Sequence, residues 1–264
     1  MRETIKILAL AIVCSILVGA FTSQSPAQID SETVVGMWLF DDGDGETAKD
    51  SSEKGNHGKL FGPEWVDGKI GKALKFDGVD DYVDCGEDPS LNLVDHLTLA
   101  VWVKHEVGND GYIIMRNDPG DGVRQYGLLD YPTHGTGVVD FFFHSAGGRV
   151  EMDKWEETAV NDNEWHHIAI TIDYPEIRLF VDGVDQGVQT LPDNMVSTET
   201  SVWIGKRKPN NFAFKGIIDE VGIFNVGLSE DDVKRIMNDG LVASLAVSPM
   251  SKLAASWVTI KTQY

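Results

Sequence analysis

The chain has 264 residues, of which 42 are Asp or Glu and 22 are Lys or Arg, so its formal net charge at pH 7 is −20. This charge argues against nucleic acid and anionic membranes as partners, because both are recognised by clustered Lys and Arg, and it suits cation binding. With 7 Trp and 11 Phe, the chain has enough apolar material to bury a large core.

The first 27 residues are predicted to be a signal peptide. A basic start at Arg2 and Lys6 precedes an apolar run over residues 7–20 and small residues at Ser25-Pro26-Ala27. Cleavage is expected after residue 27, or alternatively after residue 20, and the apolar run is too short for a membrane span. We therefore expect a secreted, periplasmic or cell-surface protein with no membrane span after cleavage. Only Cys85 then remains, so no intrachain disulfide is expected.

From Val34 onward, short apolar runs recur between clusters of Gly, Asn, Asp and Pro, a pattern typical of antiparallel strands. The predicted strands are 35–40, 58–61, 73–76, 82–85, 97–104, 112–116, 126–129, 138–144, 150–155, 202–205 and 216–224, together with a hairpin within 165–183. Because no helix separates them, they predict an all-β fold, either an antiparallel sandwich or a barrel. The runs 101–103 and 141–143 are apolar on both faces, as in strands covered on both sides.

The hairpin reads WHHIAITIDYPEIRLFVDG and has the clearest strand pattern in the chain. Isoleucines alternate with other residues up to Tyr174-Pro175, where the proline marks a turn, and Asp182-Gly183 supplies a second turn. His166 and His167 are neighbours in a strand, so they point to opposite faces and cannot bind one metal ion together. We expect one in the core and the other on the surface.

One short helix is predicted near the C-terminal end. Ser229 caps it, Asp232 is the reciprocal partner in the first turn, and Gly240 ends it. These elements define a domain over residues 34–240, which follows a short polar leader. Residues 241–264 are predicted to be a C-terminal tail, and its composition does not indicate a role.

Five segments recur in a recognisable order, and they are VVGMWLFDDGDGETAKDSSEKGNHGKL, WVDGKIGKALKFDGVDDYVDCG, LTLAVWVK, NEWHHIAITIDYPEIRLFVDG and GIIDEVGIFNVGLSEDDVKRIM. Together they resemble the laminin-G-like jellyroll domain of the concanavalin A-like lectin/glucanase superfamily, over roughly residues 34–239. The resemblance implies two large antiparallel sheets packed face to face, one of them concave. It also implies a non-catalytic module that binds carbohydrate, calcium or a protein partner.

The resemblance further implies a structural Ca²⁺ that links the end of the first strand to the acidic end of the last. The acidic loop 41–46 and residues 50–58 supply carboxylates, amides and glycines, which suit a calcium loop. The ligands implied by the resemblance are Asp41, Asp50, Asn56 and Asp219. The alternative is that these residues form loop turns without a metal. The acidic turns 76–82 and 117–122 have the same two interpretations, with a hairpin turn favoured for the first.

The sequence predicts a glycan as the ligand, since aromatic faces stack on sugars while Asp, Asn and Arg bond to hydroxyls. The predicted contact residues are Arg116, Asn117, Tyr131, His134 and Trp155. The alternative for each of them is ordinary packing, and the alternative partner is an extracellular protein in adhesion or envelope assembly. No glycine-rich phosphate loop opens a helix, so a nucleotide is not expected.

An enzymatic alternative rests on Glu151, Asp153 and Glu156, which match the E-x-D-x-x-E pattern of family 16 glycoside hydrolases, relatives in the same superfamily. In that family the first Glu is the nucleophile, the Asp tunes it and the last Glu is the acid/base. Strand alternation places Glu151 and Asp153 on one face but Glu156 on the other, unless a bulge intervenes. Non-catalytic binding is therefore the preferred prediction.

Overall fold

The computed structural model describes residues 28–105, 111–117, 124–130, 139–152, 155, 159–207 and 212–246, with only the backbone described at 117 and 130. The strands within these residues are β1 (Ile29–Asp30), β2 (Val34–Trp38), β3 (Thr47–Ala48), β4 (Gly58–Phe61), β5 (Glu64–Asp67), β6 (Lys72–Asp77), β7 (Tyr82–Asp84), β8 (His96–Lys104), β9 (Gly111–Asn117), β10 (Arg124–Asp130), β11 (Val139–Ser145), β12 (Gly148–Glu151), β13 (His166–Asp173), β14 (Glu176–Val181), β15 (Val184–Thr190), β16 (Val202–Ile204), β17 (Lys215–Phe224) and β18 (Leu245–Ala246). The α-helices are α1 (Glu230–Asp239) and α2 (Leu241–Ser244), and short 3-10 helices cover Ser31–Thr33 and Pro89–Leu91.

Most strands belong to two antiparallel sheets. The front sheet has the order β12-β11-β10-β9-β16-β7-β4-β3, and the back sheet has the order β15-β14-β13-β8-β17-β6-β5. Strand β2 pairs with residues 221–224 of β17, beyond the residues 215–218 that pair with β6. Strands β1 and β18 form a small parallel pair. The predicted all-β, two-sheet antiparallel sandwich with a short C-terminal helix is confirmed.

One apolar core fills the space between the two sheets, because alternate residues of each strand point inward. In the back sheet, Leu99 and Val101 of β8 are fully buried in this core. In the front sheet, Leu60, Val83 and Ile204 of the neighbouring strands β4, β7 and β16 point into it. Burial of each such side chain stabilises the fold by about 1.5–3 kcal/mol. The intervening residues of these front-sheet strands therefore lie on the opposite, outward side.

The run 141–143 is buried on both faces, as its apolar pattern predicts. Phe141 and Phe143 lie in the main core, whereas Phe142 belongs to a separate cluster on the outward side of the front sheet. The other members of that cluster are Tyr112, Met115 and Leu129. Phe142 lies directly over Gly127, where an added Cβ would be 2.6 Å from the ring. Only glycine therefore fits beneath this ring.

Helix α1 begins where the sequence predicts, with a capping box. Ser229 Oγ accepts a hydrogen bond from the Asp232 backbone N–H at 3.2 Å, and the Asp232 carboxylate accepts from the Ser229 N–H at 3.4 Å. The buried helix residues Val233 and Ile236 share an apolar cluster with Phe180 of the back sheet. Neither described helix has the length and apolar character needed to cross a membrane.

The first and the last strands of the described part of the chain belong to the fold. Ile29 in β1 pairs with Leu245 in β18, and both lie in the apolar cluster beneath α1. Leu241 is fully buried there as well. Sequence analysis placed these residues in a leader and a tail, because isolated apolar residues without a strand or helix period do not indicate packing.

The hairpin β13–β14 turns at residues 174–175, and its two histidines have opposite environments. Both ring nitrogens of His166 face carboxylate oxygens, which accept: Nδ1 is 2.7 Å from Asp182 Oδ2, and Nε2 is 3.0 Å from Asp162 Oδ1. Burial opposes the charged imidazolium, but the hydrogen bonds to Asp182 and Asp162 outweigh this effect and raise the pKa of His166. His167 is fully buried beside Trp102, with ring centroids 5.2 Å apart, and burial lowers its pKa to about 4.

The contribution of His167 to the free energy of unfolding should decrease as the pH falls from about 6.5 to about 4, and it is measured as the difference between the wild type and a variant without this imidazole. In the unfolded chain His167 takes up a proton near its ordinary pKa of 6.5, whereas the folded chain keeps it neutral down to about 4, so acid favours unfolding. The difference corresponds to about 3 kcal/mol. Urea unfolding across this pH range measures it. In His167→Leu the free energy of unfolding should lose this dependence on pH, whereas the neighbouring His166→Asn should keep it. If the free energy of unfolding depended on pH equally in His167→Leu and in the wild type, the low pKa of His167 in the folded chain would be contradicted.

Candidate functional site

Three aromatic side chains form a continuous row on the outward side of the front sheet. The rings of Phe61 in β4 and Tyr82 in β7 are stacked, with centroids 4.5 Å apart and an interplanar angle of 9°. Tyr82 in turn stacks on Trp203 in β16, at 4.1 Å and 17°. We call Phe61, Tyr82 and Trp203 the aromatic row. Its members come from three adjacent strands of the front sheet.

The strand register places the aromatic row outside the core. Leu60 pairs with Val83, and Val83 pairs with Ile204, and all three point into the core. The ring-bearing residues lie one position away on each strand, so they face outward. Asp84 also faces outward, directly between Lys59 on one side and Trp203 on the other. The row is therefore bordered by both a carboxylate and an amine.

The rings stand side by side on the sheet with their edges directed away from it. Their centroid separations of 4.5 and 4.1 Å are close to the spacing of about 4.8 Å between neighbouring strands, so the ring faces cover one another. The edges of an aromatic ring carry partial positive charge. Phe61 and Tyr82 are partly exposed, whereas Trp203 is 8% exposed and supports Tyr82 by stacking, so the row presents mainly the C–H edges of Phe61 and Tyr82, which favour contact with oxygen atoms. A sugar ring, with many oxygens and apolar C–H groups, has this chemistry.

Two lysines add positive charge at the row. Lys59 Nζ lies 5.0 Å from the Phe61 centroid, and Lys206 Nζ lies 5.7 Å from the Tyr82 centroid. Both distances are within the range of cation–π attraction. Burial, together with the nearby Asp84, raises the pKa of Tyr82, so its hydroxyl stays protonated near neutral pH. The hydroxyl is then able to donate and to accept hydrogen bonds.

A group of arginines surrounds the second outward-facing aromatic cluster. The Cζ atoms of Arg149 and Arg124 lie 4.8 and 5.6 Å from the Phe142 centroid. Arg207 Cζ lies 5.9 Å from the Phe212 ring, which contacts Tyr112 at 6.1 Å between centroids. We call Arg124, Arg149 and Arg207 the arginine cluster. It lies on the same side of the front sheet as the aromatic row.

The four residues implied as calcium ligands lie in two hydrogen-bond networks. In the first, Asp50 Oδ1 accepts from the N–H groups of Met37 and Ser52, both at 2.9 Å. Its Oδ2 accepts from Ser52 Oγ and from the Asn56 N–H, both at 2.8 Å. The Asn56 side chain donates to Val35 O at 2.7 Å. Because four protein donors already occupy the Asp50 carboxylate, this residue acts as a loop clamp and does not fit a calcium ligand.

The second network contains Asp41 and Asp219 and adds Glu220. Asp219 is fully buried, and its Oδ2 accepts from the N–H groups of Lys69 at 2.8 Å and Ile70 at 3.0 Å. Its Oδ1 accepts the Glu220 N–H at 2.8 Å, so three donors, one fewer than at Asp50, leave one acceptor position on this carboxylate. Burial, with repulsion from Glu220, raises the pKa of Asp219 to about 7. Burial and the nearby Asp41 also raise the pKa of Glu220. We call Asp41, Asp219 and Glu220 the bulge cluster, because Asp219 and Glu220 lie at the irregular register between β17 and β8.

Backbone geometry brings the bulge cluster together. Glu220 has a φ of 49°, which belongs to the left-handed region and accompanies the irregular register of β17. Gly71 has a φ of 59°, and an added Cβ there would lie 2.0 Å from Asp41 Oδ1. The absent side chain lets that oxygen accept the Lys72 N–H at 2.8 Å. Two buried carboxylates, Asp219 and Glu220, thus lie side by side, with the exposed Asp41 close enough to repel Glu220, and a bound cation would offset this repulsion.

The turn at 76–82 brings Asp77, Asp80 and Asp81 together, each with an oxygen within 4.8 Å of the others. The sequence predicts a hairpin turn here, and this prediction is wrong, because the turn joins β6 of the back sheet to β7 of the front sheet. Asp81 Oδ2 accepts the Asp77 N–H at 2.8 Å, and Asp77 Oδ1 accepts the Val79 N–H at 2.7 Å. Burial, with repulsion from Asp77 and Asp80, raises the pKa of Asp81.

The predicted ligand contacts are not on the aromatic row. Arg116 is 1% exposed and donates to Thr198 O at 3.1 Å, and Trp155 is 4% exposed and packs in the main core. Both are therefore interior residues, with no face available to a ligand. Asn117 ends β9, but its side chain lies outside the described part, as do Tyr131 and His134 entirely.

The proposed catalytic residues are described only in part. Glu151 lies in β12 on the outward side of the front sheet, opposite Phe142, and its Oε1 is 2.6 Å from Arg149 Nη2. Asp153 and Glu156 lie outside the described residues.

Sequence reasoning missed the aromatic row and the arginine cluster. Each ring-bearing residue of the row is adjacent to an inward aliphatic residue, as in the segments GKLF, YVD and VWI. This alternation indicates an outward aromatic side chain in each strand. It does not indicate which strands are neighbours, and only that pairing assembles the row.

Comparison with protein families places the chain in a known superfamily. A laminin G-type family model, described as the concanavalin A-like lectin/glucanases superfamily, matches residues 77–234, more than half of the chain. Among curated proteins, usherin of Mus musculus is 23% identical over 160 residues, which cover 57% of this chain and 3% of usherin. The chain thus corresponds to a small part of that relative.

Solved structures with the same fold include several domains of bacterial proteins. Domain 4 of AbnA, a GH43 extracellular arabinanase from Geobacillus stearothermophilus in complex with arabinotriose, has a TM-score of 0.63 and 19% identity, covering 80% of this chain and 100% of that one. The binding domain of Paraclostridial Mosquitocidal Protein 1 has a TM-score of 0.62 and 15% identity, covering 79% and 52%. The botulinum neurotoxin serotype D ligand binding domain in complex with N-acetylneuraminic acid has a TM-score of 0.58 and 14% identity, covering 80% and 52%. At these identities the likeness shows the fold alone.

Asp50→Ala should lower the free energy of unfolding by about 3 kcal/mol or more, because it leaves buried donors without an acceptor. Urea unfolding in calcium and in a chelator should give the same loss, since the clamp needs no metal. Asp42→Ala is the matched control, because Asp42 is exposed and accepts the Lys49 N–H at 2.9 Å from the same loop. A loss for Asp50→Ala that appears only with calcium present would contradict the clamp.

Proposed function

The chain belongs to the concanavalin A-like lectin/glucanases superfamily, and from this membership we propose that it is an exported, non-catalytic module that binds a glycan. The proposed binding surface is the outward side of the front sheet. The observation that carries the proposal is the aromatic row, bordered by Lys59, Asp84 and Lys206. Export is proposed from the signal peptide pattern of residues 1–27.

The aromatic row has the mixed chemistry that sugar recognition needs. The ring edges provide contacts for sugar oxygen atoms, and Tyr82 contributes a hydroxyl. The amines of Lys59 and Lys206 donate hydrogen bonds, and the carboxylate of Asp84 accepts them. Two proteins with the same fold support this chemistry, since one was solved with arabinotriose and the other with N-acetylneuraminic acid. An extracellular protein partner is the alternative ligand class.

Binding without catalysis is proposed because of the position of Glu151. A retaining glycosidase needs this carboxylate free to attack the sugar. The Arg149 guanidinium, 2.6 Å away, neutralises and orients Glu151 instead. The laminin G-type family match also supports a binding role.

We also propose that the bulge cluster holds a structural Ca²⁺, in place of the set implied by sequence. Asp219 and Glu220 are buried next to each other, and Asp41 repels Glu220, so a divalent cation would offset a large electrostatic cost. Carboxylate oxygens in a glycine-containing loop are suitable calcium ligands. When bound, the ion would tie the loop after β2 to β17 and so support the fold.

Tyr82→Ala should weaken oligosaccharide binding about tenfold, because it removes the hydrogen bonds of the hydroxyl, each worth about 0.5 to 1.5 kcal/mol, together with the contacts of the ring. Titration calorimetry with arabinotriose, sialyllactose and trigalacturonate measures it. The matched control is Tyr174→Ala, since Tyr174 is 39% exposed on the back-sheet hairpin turn. Equal binding by Tyr82→Ala and the wild type would remove the site from the front sheet. No binding to any of these sugars would favour a protein partner.

Calcium should raise the melting temperature of residues 28–264, because a ligand that binds only the folded state stabilises it by mass action, by about 2.7 kcal/mol at 100 times Kd. A thermal melt in calcium and in a chelator measures the shift. Glu220→Gln should abolish the response. Asp80→Asn, in the other acidic turn, should retain it and serves as the control. An unchanged melt after thorough chelation, or a response lost only in Asp80→Asn, would contradict the proposed site.

A further inference from the structure

The charge on the outward side of the front sheet differs from that of the whole chain. The net charge of the chain is −20. Cationic groups nevertheless lie over the aromatic rings of this side, and they are Lys59, Arg124, Arg149, Lys206 and Arg207. The carboxylates placed on the same side by the strand register are Asp84, Asp140 and Glu151. On this surface the named cations outnumber the carboxylates, which is the reverse of the balance in the whole chain.

Without a bound anion, burial and mutual repulsion destabilise the charges of the arginine cluster. Arg124 is half-buried, and burial lowers its pKa, as do the like charges of Arg207 and Arg149. Arg149 has Glu151 as an ion-pair partner. Among the described residues, the buried Arg124 Nε has no hydrogen-bond partner. Guanidinium groups that repel one another and keep a free donor are suited to a carboxylate or sulfate, which they bind through paired hydrogen bonds.

The arginine cluster and the aromatic row lie on one continuous surface. Trp203 pairs across strands with Met115, Met115 with Gly127, and Gly127 with Phe142, whose ring lies beneath two of the arginines. Three strand spacings separate Trp203 from Phe142, or about 14 Å. An oligosaccharide is long enough to contact both. The row would then contact uncharged parts of the sugar chain, while the arginines would contact a charged substituent.

We propose that the ligand is an acidic glycan whose carboxylate or sulfate group binds at Arg124, Arg149 and Arg207 while its neighbouring sugar residues lie on the aromatic row. This inference rests on the proposed glycan-binding function and adds the class of glycan. Its specificity comes from charge, so a neutral glycan of the same shape binds more weakly. Uronic acids, sialic acids and sulfated sugars share the required anionic group.

The test compares matched ligands by titration calorimetry on residues 28–264. The ligands are trigalacturonate, its fully methyl-esterified form, which lacks the charge but retains the ring geometry, and a sulfated galactan trisaccharide. Trigalacturonate or the sulfated sugar should bind at least tenfold more tightly than the methyl ester, and this preference should weaken as salt is raised. Preference between the two acidic sugars distinguishes a carboxylate from a sulfate site.

Arginine variants show which side chains produce the preference for acidic over neutral sugars. Arg207→Gln and Arg124→Gln should each reduce the ratio of acidic to neutral affinity several-fold while binding of the methyl ester persists. The control is Arg178→Gln, because Arg178 lies on the back sheet, where its side chain pairs with Asp185 and Glu176. Melting curves of all variants show whether the partly buried Arg124 is needed for folding, and Arg207 gives a second, independent measurement.

The outcomes separate the two proposals. Equal affinity for trigalacturonate and its methyl ester would overturn the acidic-glycan inference and leave glycan binding in place. A charge preference that survives both Arg207→Gln and Arg124→Gln would overturn the arginine cluster as its source. Absence of binding to all three sugars, together with arabinotriose, would overturn the glycan-binding function itself.

Discussion

The face-to-face packing of two sheets around one apolar core is the constraint on which the other features of this molecule depend. Once Leu60, Val83 and Ile204 point into the core, the residues beside them must face outward. Register then brings the outward aromatic residues of β4, β7 and β16 into contact. The binding surface is thus a consequence of how the core is filled, and it lies on rigid strands.

The same packing creates two regions with different charge. The outward side of the front sheet collects lysines and arginines over aromatic rings, although the chain is acidic as a whole. Buried carboxylates instead collect at the irregular register of β17, where Asp219 and Glu220 meet Asp41. One region is suited to an anion and the other to a cation. A sugar ligand and a structural ion would therefore have separate sites.

Much of the fold could be predicted from sequence, because its signals are local. Alternation predicts β13 and β14, and the capping box at Ser229 predicts α1. The strands that were missed have weaker patterns. β15, for example, reads VDQGVQT and is largely exposed, so no buried face produces an apolar alternation. The apolar residues at the ends of the domain were missed for a related reason, since they pack singly against α1 and the back sheet.

The candidate site could be predicted far less well, because it depends on contacts between distant segments. Trp155 and Arg116 have the residue types of a sugar site, but packing places both inside. Asp50 has the residue type of a calcium ligand, but backbone and hydroxyl donors of its own loop and of β2 occupy its carboxylate. Conversely, Trp203 is unremarkable in the sequence and gains its role only from its neighbours Tyr82 and Met115.

The most direct test of a glycan site on the front sheet is an NMR titration that follows the tryptophan indole N–H signals. The ligand is the oligosaccharide that binds most tightly in calorimetry. A glycan site on the front sheet should shift the Trp203 signal, while Trp65 at the edge of the back sheet and Trp155 in the core keep theirs. A shift of Trp65 or Trp155 with an unchanged Trp203 would contradict it.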